Sequence, residues 1–285
     1  MTRLEKTKAL LEQLSAGPKK SLGQNFLISD VVITRIIEAA KECAADFNKN
    51  PLKKSDEPVH FVEVGPGLGA LTESLIPLGP LTLIELDKVF SQYWRDQQIN
   101  LIEEDALAVN WSELTDNKPT VLVSNLPYQI SSSIVIERSI GPLNVFAMIL
   151  MFQKEVAQRI KALPMTEDYG LLTVIAQTYW KISKLIDAGP REFFPPPNIV
   201  SRVLTFEQKT VSHQNRKAFL KLVKAAFSQR RKLMVSNLKS HLSPEQIKLV
   251  LQWLGENKKS EQIRAEELSP AEFEKLYLYL GIDSL

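Results

Sequence analysis

Cysteine is almost absent: Cys43 is the one thiol among 285 residues. A single thiol excludes a disulfide framework and leaves no cysteine cluster for structural zinc. Histidine is scarce too. His60, His213 and His241 are scattered, and neither a Ser/His/Asp arrangement nor a metal-ligand spacing surrounds them. No apolar run approaches the ~20 residues that a membrane span needs. The opening MTRLEKTKALLEQL mixes charge with apolar residues and lacks the apolar core of a secretion signal. A strong excess of one charge is missing as well, since the net charge is only +2. With 44% hydrophobic and 24% charged residues, the chain is neither disordered nor fibrous. The expectation is a soluble, cytoplasmic, monomeric protein with no metal and no membrane contact.

The distribution of charge says more than its sum. Acid is wholly absent from Gln208 to Pro244, where Lys209, Arg216, Lys217, Lys221, Lys224, Arg230, Arg231, Lys232 and Lys239 stand. After Pro244 the balance swings back with Glu245, Glu256, Glu261, Glu266, Glu267, Glu272 and Glu274. The basic block reads as a solvated helix face or as a surface that tracks nucleic-acid phosphates.

Residues 1–20 read as a mobile arm ending at Gly17-Pro18-Lys19-Lys20. Asp30 is placed to cap a helix whose apolar face is Val31, Ile33, Ile36, Ile37 and Ala40. The polar stretch 48–58 reads as a loop. Short apolar runs then alternate with amphipathic stretches, with strands expected at Val59–Val64, Leu81–Leu86, Ile99–Ile102, Thr120–Ser124 and Val145–Met151. Helical connections of roughly 10–18 residues fit between most of them, which predicts a doubly wound α/β domain with a parallel sheet. Leu171–Gln177 reads as helix, and Tyr179–Ile186 with Val200–Phe206 as a closing pair of strands. Beyond Glu207 only amphipathic helices follow, with Ser243-Pro244 and Ser269-Pro270 as starts. The expected division is an arm over 1–20, a catalytic domain over 21–207 and a small all-helical domain over 208–285.

The first of these strands ends in Glu63-Val64-Gly65-Pro66-Gly67-Leu68-Gly69. Glycines there let the backbone approach a ligand at the carboxyl edge of a sheet. The next strand ends in Glu85, an acid able to accept both hydroxyls of a ribose. Together these point to a nucleoside cofactor without saying which; a glycine turn that merely packs is the plain alternative. Asp105, at the third strand end, is suited either to an adenine amine or to capping a helix. The fourth ends in Asn125-Leu126-Pro127-Tyr128, and here the chemistry sharpens. The exocyclic nitrogen of adenine is a poor nucleophile because its lone pair is delocalised into the ring. Two acceptors on its hydrogens, the Asn125 side-chain oxygen and the Leu126 carbonyl, would localise that pair, while Tyr128 offers a face for the base.

These motifs, taken together, resemble the KsgA family of small-subunit rRNA adenine dimethyltransferases. The resemblance runs from about Lys19 to Lys239. It also includes Gly23-Gln24-Asn25-Phe26-Leu27, Ile84-Glu85-Leu86-Asp87 and Met151-Phe152-Gln153-Lys154-Glu155-Val156-Ala157. It implies a Rossmann-like methyltransferase sheet, S-adenosylmethionine as cofactor with S-adenosylhomocysteine as product, and an rRNA partner within an assembling small subunit. It implies that Asn25 and Leu27 cover the cofactor's methionine end and that Gly65 and Gly67 approach the cofactor. Glu85 then takes the ribose, Asp105 the adenine amine, and Asn125 lies between donor and target. Phe193 matches the aromatic on the far face of the target base, with Phe194 as the neighbouring choice. Asn198 and Val200 stand where the family usually has Lys and Asp. Phe227-Ser228-Gln229-Arg230-Arg231-Lys232 and Asn237-Leu238-Lys239 resemble the family as well, and Arg230, Arg231 and Lys232 are the expected RNA contacts. The related large-subunit methyltransferases of macrolide resistance are the nearest alternative, disfavoured by the stretch Leu22–Leu27 and the longer helical tail. A nicotinamide dehydrogenase would not need Asn125-Leu126-Pro127-Tyr128. An assembly factor without catalysis would not need both Asn125 and Tyr128. Trp94, Trp111, Trp180 and Trp253 read as packing residues.

Overall fold

The structure, a computed structural model, describes residues 1–19, 23–49 and 57–282. Most of the expected loop over 48–58 and the end of the expected arm at Lys20 therefore lie outside the described residues. The chain divides into two compact units, Met1–Ala157 with Ile182–Gln208, and Gln158–Lys181 with Lys209–Leu285. The expected catalytic domain is thus interrupted: 158–181 groups with the helical tail, because its helix packs on tail helices instead of on the sheet.

In the first unit, strands β2 (His60–Val64), β3 (Leu81–Ile84), β4 (Asn100–Ile102), β5 (Thr120–Asn125) and β6 (Val145–Gln153) form the parallel part of a seven-stranded sheet. Its order is β4-β3-β2-β5-β6-β9-β7, with β7 spanning Trp180–Ala188 and β9 spanning Ser201–Gln208. β9 runs antiparallel to β6, and Arg202 clasps Asp187 of β7 with hydrogen bonds of 2.6 and 3.0 Å. The chain enters the sheet at β2, winds outward to β4, and returns to β5 on the other side. The reversal opens a crevice between β2 and β5 beyond their carboxyl ends, the place where open α/β sheets bind ligands.

The strands form where β-branched and aliphatic runs are bracketed by Pro and Gly, and β6 is buried along Val145–Phe152. Helix α2 (Asp30–Lys49) covers one face with Val32, Ile33, Ile36, Ile37, Ala39 and Ala40, packed with Val121, Val123 and Ile149. Val31, expected inward, is 68% exposed, because the helical stripe runs through Val32 instead. The cap also moves by one residue. Ser29 accepts the Val32 N–H at 3.4 Å and its carbonyl takes the first helical bond, so Asp30 is a first-turn acid. The crossover from β2 to β3 is less helical than expected. After α3 (Thr72–Leu75), Pro77 and the Gly79-Pro80 pair allow only a 3-10 turn over Ile76–Leu78.

The expected arm holds a helix, α1 (Arg3–Gln13), started by a capping box between Thr2 and Glu5. Its Leu11 is buried with Phe26 and Phe90. Those contacts, which no local pattern reveals, hold the arm. β1 (Phe26–Leu27) pairs antiparallel with β8 (Phe193–Phe194) as a separate two-stranded ribbon. Helices α4 (Lys88–Asp96), α5 (Trp111–Thr115), α6 (Ser131–Ile140) and α7 (Lys154–Ile160) complete the crossovers.

The second unit packs α8 (Leu171–Tyr179) with α9 (Arg216–Ala226), α10 (Met234–Leu238), α11 (Pro244–Glu256) and α12 (Pro270–Leu280). Ser243 and Ser269 each build a capping box ahead of a first-turn proline, as their sequence context predicts. Tyr179, His213, Phe219 and Tyr277 form its aromatic centre. No helix among the described residues is long and apolar enough to cross a membrane.

Candidate active site

A cavity of about 320 Å³ occupies the crevice at the strand ends of the first unit. Of the residues singled out for cofactor or target, Asn25, Leu27, Gly65, Gly67, Glu85, Asp105, Asn125, Leu126 and Tyr128 line it, while Phe193 and its neighbour Phe194 do not.

The glycine turn is built by backbone conformation that side chains rarely adopt. Gly67 has φ +51° and Gly69 has φ +85°, and a Cβ on Gly69 would lie 2.7 Å from the Trp94 ring. Trp94 also donates its indole N–H to the Gly67 carbonyl at 3.0 Å. It is therefore the brace of this turn as well as a packing residue, a role that its isolated position in the sequence does not signal.

Glu85 follows β3 and faces the same turn. Its carboxylate accepts the Gly67 N–H at 3.2 Å and the Asp87 N–H at 2.8 Å. Burial pushes this carboxyl above its usual range, opposed by those N–H groups. Asp87 is gripped in turn by the Lys19 ammonium and the Gln24 amide, both at 2.9 Å. Burial acts to raise the Asp87 carboxyl, but these hydrogen bonds outweigh it and hold the group below its usual range. Gln24 thus ties the Gly23–Leu27 stretch to Asp87, two residues beyond Glu85. Beneath the turn, Glu63 is 2% exposed and accepts the Thr72 hydroxyl at 2.7 Å. Burial pushes it up to about 8, so it is largely protonated at neutral pH. In the sequence Glu63 stands out only as part of the glycine motif; an acid within a buried parallel strand is the signal that marks it.

Asp105 follows β4 and accepts the Leu107 N–H at 2.9 Å. It caps a turn and lines the cavity at once, so the two expected roles are compatible. The next residue, Ala106, accepts the Trp111 indole N–H at 3.0 Å, and the Arg138 guanidinium lies over that indole at 4.0 Å.

Asn125 closes β5. Its amide nitrogen donates to the Asn25 carbonyl at 3.2 Å. This fixes the amide so that the oxygen, an acceptor, is the group left for a ligand. Tyr128 lies three residues on, half-buried, with its hydroxyl 3.0 Å from Ser201 Oγ. Burial raises its phenol, opposed by that bond.

Phe193 does not join them. It is 2% exposed, sits in the core cluster with Leu27 and Val203, and is not part of the cavity wall. Strand alternation sends its ring inward and turns Phe194 to the other face, where the Lys8 ammonium lies 5.2 Å from the ring centroid. The far-face aromatic expected at Phe193 is therefore corrected: this ring presents no face to the cavity.

The basic block of the second unit also divides. Arg216 is buried with its guanidinium 4.6 Å from the Tyr179 ring centroid, so it belongs to the core. Lys217, Lys221 and Lys224 are exposed along one face of α9. Arg230 is paired with Glu266 at 3.3 Å and bonded to the Glu167 carbonyl. Arg231 and Lys232 are exposed. The buried Asn237 amide holds their turn through the Ala226 and Gln229 carbonyls, at 2.8 and 3.0 Å. Among the described residues no group of three or more His, Cys, Asp or Glu is placed to hold a metal.

Comparison with known proteins agrees with this geometry. Residues 17–280 match the family model described as ribosomal RNA adenine dimethylase. A relative from Bdellovibrio bacteriovorus, ribosomal RNA small subunit methyltransferase A, is 50% identical over 282 residues, 98% of each chain. The protein of that name from Staphylococcus aureus is 33% identical over 288 residues, 95% of this chain and 93% of the other. Among solved structures, a dimethyladenosine transferase from Plasmodium falciparum shares the fold with TM-score 0.68 and 23% identity, covering 90% of this chain and 97% of the other. The 23S rRNA methyltransferase ErmE shares it with TM-score 0.62 and 20% identity, covering 90% and 100%. By the family model and these relatives, the chain belongs to the ribosomal RNA adenine dimethylase family.

Proposed function

We propose that this chain is an S-adenosylmethionine-dependent dimethyltransferase acting on small-subunit (16S) rRNA during ribosome biogenesis. Its targets are the exocyclic amines of two adjacent adenines in the 3′-terminal hairpin. The observation that carries the reading is Asn125, its amide nitrogen committed to the Asn25 carbonyl and its oxygen left as an acceptor at the cavity wall.

The residues present fit the cofactor. The positive-φ glycine turn leaves backbone accessible beside the cavity, and the acceptors Glu85 and Asp105 line it together with Asn25 and Leu27. When bound, S-adenosylmethionine supplies an electrophilic methyl group on a sulfonium centre. The chain's own part is to hold the nucleophile. Asn125 Oδ1 and the Leu126 carbonyl accept the two amine hydrogens, which turns the nitrogen lone pair out of the ring. Tyr128 supplies the stacking face, and its bond to Ser201 fixes the ring. No strong base is required, because the alkylated amine is acidic enough to lose its proton to water. Asn125 stabilises the positive charge as it develops on the amine, a contact stronger in the transition state than before it.

On the second unit, Arg231 and Lys232 with the exposed lysines of α9 are the phosphate contacts. Arg230 keeps their turn in place through Glu266. The substrate is an assembly intermediate of the small subunit, bound by a monomer in the cytoplasm. The small-subunit names of the relatives support this reading over the large-subunit alternative, which has only fold similarity behind it.

The test is methyl transfer by purified protein to unmodified small-subunit particles and, separately, to protein-free large-subunit rRNA. Dimethyladenosine in the small-subunit digest alone is the expected result. Transfer to large-subunit rRNA alone would reverse the substrate assignment.

A further inference from the structure

Helix α1 lies outside the residues 17–280 that match the family model, yet it forms a wall of the cavity. Arg3, Lys6, Thr7 and Leu10 line it, a spacing of i, i+3, i+4 and i+7 that puts all four on one helical face. The helix is held by its capping box and by Leu11 against Phe26 and Phe90. The cavity is otherwise acidic, with Glu73, Glu85, Glu104 and Asp105 in its lining. Such a lining suits the sulfonium and ammonium charges of the cofactor but repels the carboxylate of its amino-acid tail.

Among the described lining residues, Arg3 and Lys6 are the cations. Arg3 is already neutralised, 2.7 Å from Asp30 and 3.9 Å from Glu73. Lys6 makes no ion pair among the described residues and stands exposed on the cavity face of the helix. The Arg3–Asp30 pair also fixes where α1 lies. It ties the first turn of α1 to the start of α2, five residues after Asn25, whose carbonyl meets Asn125. The amino-acid tail shares its sulfur with the transferable methyl, so it must lie at this end of the cavity if the methyl is to reach an amine held by Asn125.

We propose that Lys6 is the counter-charge for the carboxylate of the cofactor's amino-acid tail, and that α1 thereby separates cofactors bearing the tail from nucleosides lacking it. This rests on the methyltransferase reading above. The experiment is titration calorimetry on the full chain with two ligands: S-adenosylhomocysteine, which has the tail, and methylthioadenosine, the same nucleoside thioether without it. Lys6→Gln should weaken S-adenosylhomocysteine roughly tenfold, the scale of one charged hydrogen bond at an exposed rim, and leave methylthioadenosine unchanged. Lys6→Arg should retain the affinity, and Lys8→Gln, on another face of the helix, should alter neither ligand. Equal loss for both ligands, loss for neither, or a loss confined to RNA affinity would each overturn the role of Lys6. If the unmodified protein binds neither ligand, the methyltransferase reading fails first, and the two failures are told apart.

Discussion

Replacing Asn125 by Ala removes a side-chain acceptor at the Asn25 junction. The 3.2 Å bond to the Asn25 carbonyl goes with it, but the glycine turn, Glu85 and the second unit are untouched. A hydrogen bond to a group gaining charge contributes about 1.5–3 kcal/mol, and loss of one such preorganised contact typically slows turnover roughly a hundred- to a thousandfold. Turnover should fall by that factor, while affinities for S-adenosylhomocysteine and RNA change by less than about 1 kcal/mol. The structure also sharpens the expectation for Asn125→Asp. Sequence reasoning alone expects it to keep some activity, since a carboxylate accepts hydrogen bonds. Yet aspartate has no N–H for the Asn25 carbonyl, so an oxygen would face an oxygen where the amide now donates. Asp should therefore rank close to Ala. The assay is single-turnover methyl transfer read by mass spectrometry of the RNA digest, with calorimetry for both ligands. An Asn125→Ala enzyme within about threefold of normal turnover, under 1 kcal/mol in barrier, would refute the acceptor role.

Glu63, pushed up to about 8 from an ordinary 4.5, keeps a proton in the folded chain that the unfolded chain releases. Stability should therefore fall as pH rises between those values, by at most about 1.4 kcal/mol per pH unit, and Glu63→Gln should flatten the slope in denaturant unfolding; an unchanged slope would contradict the assignment. Tyr128→Phe should keep most of the turnover, losing only the bond to Ser201, whereas Tyr128→Ala should lose roughly 1–3 kcal/mol of base stacking; equal damage by both would shift the role to the hydroxyl. Arg231→Gln with Lys232→Gln should lower the salt dependence of RNA binding by a slope of roughly 0.7–0.9 per lost phosphate contact and leave cofactor affinity alone. Arg230→Gln should act less on that slope, because its charge is already paired with Glu266.

The parallel sheet and most of the cavity wall were readable because both rest on local patterns. Apolar runs ending in Gly65, Glu85, Asp105 and Asn125 mark strand ends, and strand ends converge in this topology. What local pattern does not hold was missed. α1 depends on Leu11 meeting Phe26 and Phe90, which are far away in sequence. Trp94 became a brace only when α4 brought its indole to Gly67. Arg216 looks like one more surface cation until Tyr179 and burial claim it. Phe193 was placed by motif similarity, but in the fold the alternation of a two-residue strand decides which of two adjacent rings turns inward. The interruption of the first unit by 158–181 follows from packing between helices distant in the chain, which no composition shift announces.

Adenine dimethylation of small-subunit rRNA by this protein is read out in cells. Mass spectrometry of rRNA from cells with and without this gene should show two adjacent dimethyladenosines near the 3′ end of small-subunit rRNA that vanish with the gene. They should return with the intact gene but not with Asn125→Ala. If the small-subunit pattern is identical with and without the gene, the account is contradicted.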